Sequence, residues 1–297
     1  MKRFNFTILT ALWIVISFCP GIFSFSAYGY EIIWYTFDMP PIHIPSGPYK
    51  DQGFNDLKGN IFREEMKNYS HTVKVANVKR IINDIAEKGN VIGVSMLKTP
   101  EREKVIEYSV PHSLNFTYVI MIEKDRVKEF QPYLTVNGSV MLEKLITESS
   151  LKLNLSLGRS YSAFIDEILK KYPTHNNITY RTSSDGLLEG ILKMILARRA
   201  DYTIAFPQEA YYLAKIMDKT ESFVSLPIEG MHKYDLGYTV VPKNEWGRKI
   251  LNELNPIILK HRNTRKFRGY AESWMDENMK KLFRKYMDET FGPVGDE

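Results

Sequence analysis

Arg102 lies in the run Thr99-Pro100-Glu101-Arg102-Glu103-Lys104. A guanidinium there offers two parallel donors, the geometry that grips a planar anion such as a carboxylate. Its neighbours Glu101 and Glu103 offer the plainer alternative of a surface salt bridge on a short helix. A second cationic spot is Gly158-Arg159-Ser160, read as opening a helix, where free backbone N–H groups attract anions and Ser160 supplies a hydroxyl. Ordinary N-capping by Ser160 is the competing role, and the two are compatible. His43 and His112 stand in predicted loops, where a lone histidine more often completes a local hydrogen bond than acts in catalysis.

Other chemistries leave no trace. No G-x-S-x-G, H-E-x-x-H, Walker loop or G-x-G-x-x-G occurs in the chain. The single cysteine, Cys19, sits in a leader-like N-terminus, so the remainder has no disulfide, thiolate nucleophile or cysteine-held metal. Neither a metal nor any other cofactor is expected. The formal net charge is +5, with basic residues spread along the chain, which does not suit a nucleic-acid binder. It falls by two, to +3, once Lys2 and Arg3 leave with the leader. The basic stretch His261, Arg262, Arg265, Lys266 and Arg268 reads as a solvated helix end or loop.

Lys2 and Arg3 precede an apolar run from Phe6 to Phe18, and small residues follow near Ala27-Tyr28-Gly29. This is the layout of a secretory signal peptide, 1–29, with Tyr30 beginning the mature chain. The run is short for a membrane span of about 20 residues, so export to the periplasm is expected, with a mature chain that does not span the membrane. Phe18 directly before Cys19 disfavours lipidation there.

The elements that must position these groups alternate. Glu31 to Tyr35 reads as a strand running into Asp38-Met39-Pro40-Pro41. A helix is read over Gly59 to Tyr69, a strand over His71 to Val75, and a helix over Val78 to Lys88 stopped by Gly89. Val91 to Met96 and Thr117 to Ile122 follow as strands. The pattern repeats in kind: strand Leu151 to Leu157, a helix from Gly158, strand Ile178 to Arg181, a helix capped by Ser184 or Asp185, and strand Tyr202 to Phe206. Strand Gly237 to Val241, helix Glu245 to His261 and a last helix from Trp274 to Met287 close the chain. Strands alternating with helices give an α/β class.

Taken in order, several segments resemble the extracellular solute-binding proteins of amino-acid ABC transporters, family 3. The resemblance rests on Thr99 to Lys104 followed by Tyr108-Ser109-Val110-Pro111, on Asp38-Met39-Pro40-Pro41, on Leu157-Gly158-Arg159-Ser160, on Ala197-Arg198-Arg199-Ala200-Asp201 and on Gly237-Tyr238-Thr239-Val240. It covers nearly all of the chain after the leader and is closest to a divergent branch. It implies a periplasmic binding protein-like type II fold: two α/β lobes joined by two crossing strands, with a ligand cleft between them. Lobe 1 would take residues 30–118 and 238–297, and lobe 2 residues 119–237.

The resemblance also implies site roles. Arg102 would pair with a ligand carboxylate, and Ser95 and Thr99 would orient the ligand, although Ser95 also reads as a small buried residue bonded to backbone. Ser160 and Arg159 would face the ligand from lobe 2. Leu97 stands where relatives often carry a polar residue, and His112 replaces their usual tyrosine. Phe206 replaces the aspartate that holds an α-ammonium in amino-acid binders. Without that carboxylate a buried cation is unpaired, so a standard amino acid is disfavoured and an anionic organic solute is expected. Phe37 would contribute to an aromatic floor.

The expected function is therefore capture of a small anionic solute for an ABC transporter permease or a membrane sensor, without catalysis. The alternatives are a small carboxylic-acid lyase or dehydratase on the same fold, using His112 or Glu209, and an accessory protein that has lost its ligand.

Overall fold

Two β-sheets divide the chain in the computed structural model, which describes residues 30–182 and 186–295. The expected leader, with Cys19, and the expected caps Ser184 and Asp185 lie outside the described residues. The first half runs β1 (Glu31–Thr36), α1 (Phe54–Glu65), β2 (Ser70–Val75), α2 (Val78–Glu87), β3 (Val91–Leu97), α3 (Pro100–Glu103), β4 (Ile106–Tyr108) and β5 (Ser113–Phe116). The chain then enters the second sheet with β6 (Val119–Glu123), α4 (Val127–Phe130), α5 (Leu142–Glu148), β7 (Leu153–Ser156), α6 (Ala163–Lys170), β8 (Ile178–Arg181), α7 (Leu187–Leu196), β9 (Tyr202–Ala205), α8 (Pro207–Ile216) and β10 (Phe223–Pro227). It returns through β11 (Tyr234–Pro242) and ends in α9 (Glu245–Arg262), α10 (Arg265–Glu272) and α11 (Glu277–Phe291).

The first sheet has the order β2-β1-β3-β11-β4, with β5 also on β11; the second has β10-β6-β9-β7-β8. In each, the strands joined through helices pair in parallel, β1 with β2 and β3, and β7 with β8 and β9, as crossover connections require. The strands nearest the crossings, β6 and β11, pair antiparallel to their neighbours. The chain crosses between sheets through Thr117-Tyr118 and again between Pro227 and Tyr234. The two crossings are tied where the Thr117 hydroxyl donates to the His232 carbonyl. Because β11 already pairs with β5 at Tyr234, the chain is back in the first sheet before residue 238, a few residues earlier than the sequence division placed it.

Each sheet has its own apolar interior. In lobe 1, Trp34, Phe62, Ile92, Val241, Leu254 and Phe267 pack together; in lobe 2, Ile120, Phe130, Leu145, Leu155, Ile165 and Ile204 do so. These are the alternating strand positions and helix stripes that hydrophobic burial demands.

Local chemistry explains where elements start. α1 begins at Phe54, ahead of the expected Gly59, because the Asp56 carboxylate accepts from the backbone N–H groups of Gly53 and Ile44 at 3.1 and 2.9 Å. A Cβ on Gly53 would stand 2.7 Å from the Ile42 carbonyl, so the turn requires glycine. The basic stretch spans the end of α9 and the start of α10, where Arg265 and Lys266 are exposed as expected and Arg268 is not. Its Arg268 is buried and bonds Asp288, Asn263 and the Gly292 carbonyl, locking α10 to α11. Among the described residues no helix is long and apolar enough to cross a membrane.

Candidate functional site

The C-terminal end of β3 builds the first wall. Ser95 holds φ +61°, a left-handed conformation unusual for a side chain other than glycine, within the strand. The ladder to β11 shifts register between Tyr238 and Val240, so the strand bulges beside it. Gly237 makes room: a Cβ there would meet Ser95 Oγ at 3.0 Å, Ser113 Cβ at 3.1 Å and Asn115 Nδ2 at 3.3 Å.

Beyond the strand, Thr99 caps α3, its hydroxyl accepting from the Arg102 N–H at 3.4 Å. The Arg102 side chain then folds back, and its Nη1 donates to the Leu97 carbonyl at 2.9 Å. The salt bridge to Glu103 that the sequence allowed does not form; Glu103 is paired with Lys98 at 2.7 Å. Among the described residues no carboxylate is ion-paired with Arg102.

Between the lobes lies a cavity of about 180 Å³. Phe37, Met39, Pro40, Pro41, Ile42, Val78, Met96, Leu97 and Phe116 give it an apolar lobe 1 lining, joined by Ser95, Arg102, Asn115 and Asp235. Phe206, just before α8, and Gln208 and Glu209 in its first turn close it from lobe 2. Three polar side-chain atoms on this lining are buried without a partner among the described residues: Ser95 Oγ, Asn115 Oδ1 and Gln208 Nε2. A buried polar atom left unpaired costs about 1–3 kcal/mol, and three around one cavity, two from lobe 1 and one from lobe 2, mark a surface made for a guest that hydrogen-bonds.

The lobe 2 wall rests on an aromatic stack. Phe206 lies on Tyr118 with ring centroids 4.0 Å apart and planes 24° off parallel. Arg159 sits 5.5, 5.7 and 5.6 Å from the rings of Tyr118, Tyr161 and Phe206. Its fork grips Glu209 through two bonds, 3.0 and 2.6 Å long. Burial works against the Arg159 charge, but the Glu209 carboxylate outweighs it and raises the guanidinium above its ordinary value. Arg159 lines a neighbouring space of about 300 Å³ with Asp38 and Tyr212, and Met39, Pro40 and Glu209 are common to both spaces.

The sequence-derived candidates therefore separate. Arg102, Ser95, Phe37 and Phe206 come together on the cavity lining. Thr99 acts as a helix cap one turn away. Arg159 approaches from the adjoining space. Ser160 is exposed and does not open a helix: α6 starts at Ala163 behind the Ser162 cap, and the Ser160 hydroxyl donates to Asp166 Oδ2 at 2.6 Å. His43 and His112 are both sealed inside lobe 1. His43 is bonded to Asp56, and His112 lies between Ser113 and Thr239. Asn115, Gln208 and Asp235 escaped the sequence reading. The alternation Ser113-Leu114-Asn115-Phe116 hinted at a polar face on β5, whereas Gln208 left no mark in the sequence. Among the described residues no cluster of three His, Cys, Asp or Glu could hold a metal ion.

No protein-family model matches the chain, and no curated protein matches it. Solved structures do. An ancestral cationic amino acid solute-binding protein superposes with a TM-score of 0.60 at 18% identity, over 84% of this chain and 96% of its own. The probable amino-acid ABC transporter extracellular-binding protein of Bacillus subtilis gives 0.59 at 15%, over 84% and 98%. A histidine kinase sensor domain with similarity to periplasmic binding proteins gives 0.54 at 13%, over 84% and 97%. The chain has the periplasmic binding protein-like type II fold. In that fold two α/β lobes share a cleft, and here the cleft contains the cavity that Arg102 and Ser95 line.

Proposed function

We propose that this chain is a periplasmic solute-binding protein of family 3 type. It closes around a small, largely apolar organic molecule bearing one carboxylate, and delivers it to an ABC transporter or presents it to a membrane sensor. The observation that carries this reading is Arg102. It lines an interlobe cavity, has no carboxylate partner among the described residues, and shares that lining with three unpartnered polar atoms. The guanidinium would take the carboxylate, and Ser95, Asn115 and Gln208 would hydrogen-bond the rest of the polar head. Phe37, Met39, Phe116 and Phe206 would cover the apolar body. A guest touching both lobes favours the closed form, because only that form gives it both sets of contacts.

The lyase alternative gains nothing from the site. It needs an acid–base group in the cavity, yet His112 is enclosed in lobe 1, Glu209 is held by Arg159, and the remaining lining acid, Asp235, is hydrogen-bonded to His232. Unsatisfied polar atoms on the cavity wall likewise argue against a scaffold that has lost its ligand.

The test is native mass spectrometry of gently purified protein, followed by thermal-shift titration with matched acids, amides and amines. A co-purifying small acid, or a dose-dependent rise in Tm with carboxylates, supports the reading. No stabilisation by any carboxylate, with no bound molecule, sinks it.

A further inference from the structure

Three ionisable groups line the cavity: Arg102, Glu209 and Asp235. By formal count the acids outnumber the base, which would repel an anion. Arg159 evens that count by pairing with Glu209, which leaves one base, Arg102, against one acid, Asp235. Glu209 is shared between the cavity and the adjoining space, and from that second space Arg159 grips both of its oxygens. Asp235 accepts from His232 Nε2 at 2.8 Å. Arg102 has no ion-pair partner among the described residues, while the hydrogen bond from His232 occupies one oxygen of Asp235.

We propose that Arg159 is the residue that sets the charge preference of the cavity: by neutralising Glu209 from outside, it makes the site select anions over cations. This rests on the carboxylate-binding reading above and assigns a specificity role to a side chain that lies outside the cavity lining. Arg159 is anchored for the task. Three aromatic rings and the Tyr118 hydroxyl surround its guanidinium, and a swing into the cavity would forfeit these contacts together with both bonds to Glu209. Glu209 is fixed in turn at the start of α8, two residues beyond Pro207. Removing the Arg159 charge would expose a carboxylate beside any bound acid. Two like charges in a partly desolvated site repel enough to change affinity roughly ten- to a hundredfold.

Four proteins are compared by calorimetry against phenylacetate, phenylacetamide and phenethylamine, a matched acid, amide and amine, with a melting curve for each to confirm folding. Wild type should prefer phenylacetate. Arg159→Gln should lose phenylacetate affinity at least about tenfold and gain phenethylamine affinity. Glu209→Gln should move the other way, tightening phenylacetate, and the double variant should regain acid preference. Opposite signs from the two partners of one ion pair are what a merely structural pair would not give, since losing either partner would then weaken all three probes alike. An unchanged ranking in Arg159→Gln, or weakened phenylacetate binding in Glu209→Gln, overturns the proposal. If Arg159→Gln does not fold, Glu209→Gln decides alone. Wild type that binds none of the three, or ranks the amine first, overturns the carboxylate reading itself and the proposal with it.

Discussion

The Lys58 ammonium donates to Ser113 Oγ at 3.1 Å inside lobe 1, with no carboxylate among the described residues bonded to it. Phe54 and Phe267 face the nitrogen at 5.2 and 4.9 Å, and the His112 carbonyl accepts a second, longer bond. Burial pushes the Lys58 value down to about 7. Burial also holds the His112 imidazole well below its ordinary value, and the charges of Lys58, His43 and Arg262 add to the effect. Both groups bind protons more readily when the chain is unfolded, so stability rises with pH in each window. For Lys58 the window runs from about 7 up to its unfolded value of about 10.4; for His112 it lies below about 6.5. Thermal unfolding should therefore show Tm increasing from pH 5 to pH 9. Lys58→Met should flatten the upper half of that rise, because it removes a buried charge worth on the order of a few kcal/mol below pH 7. An unchanged slope above pH 7 in the variant would show that Lys58 does not titrate there.

Arg102→Ala should leave the fold intact, since the side chain's one recorded bond is to the Leu97 carbonyl at the end of β3. Affinity for a carboxylate ligand should fall by about 2–5 kcal/mol. Calorimetry beside a melting curve checks both halves. Equal affinity in wild type and variant would remove Arg102 from the site.

Ser95 combines a left-handed backbone with an unpartnered hydroxyl. Ser95→Gly should relieve the backbone and stabilise the unliganded protein by about 1 kcal/mol. Ser95→Ala keeps the backbone strain and deletes the orphan hydroxyl, which should be neutral or mildly stabilising. Both variants should bind ligand less tightly, by about 0.5–1.5 kcal/mol for one lost hydrogen bond. A gain in Tm with a loss of affinity is the expected pattern, the usual trade at a functional site. A lower Tm in both variants would assign Ser95 to packing.

How far the sequence reaches is visible in these residues. The positions of Arg102 and Ser95 on the cavity lining were legible because the family resemblance, carried by the turn motif and the strand ahead of it, singles them out. The order of strands and helices was legible because burial is periodic and periodicity is local. The helix start expected at Ser160 was misplaced because the turn after β7 runs on to Ser162 before the helix starts, and boundaries depend on single caps. Arg268 looked solvated because sequence carries no sign of Asp288 twenty residues away. Gln208, Asp235 and the Arg159–Glu209 pair were out of reach for a related reason. Each is defined by residues far apart in the chain, Arg159 and Glu209 within lobe 2 and Gln208 and Asp235 on opposite sides of the cleft, and that juxtaposition is nowhere local.

One contact across the cleft predicts how the lobes move. Tyr212 of α8, in lobe 2, is buried against lobe 1, its ring 5.5 Å from Trp274 and 6.2 Å from Tyr49. Lys215, one turn further along α8, places its ammonium 4.8 and 5.3 Å from the same two lobe 1 rings. Aromatic pairs contribute about 0.5–1.5 kcal/mol beyond their area, and a partly exposed cation–π contact about 0.5–1 kcal/mol. Summed, these are of the size that sets an open–closed balance, so they hold the lobes together before any guest arrives. Tyr212→Ala should therefore shift the unliganded protein towards open forms, seen as a larger radius of gyration in small-angle scattering. Its apparent ligand affinity should fall in proportion to the lost closed fraction, although Tyr212 is not on the cavity lining. Saturating ligand should restore the wild-type radius, because contacts from both lobes then outweigh the missing ring. A variant with an unchanged radius and unchanged affinity would leave closure to the ligand alone.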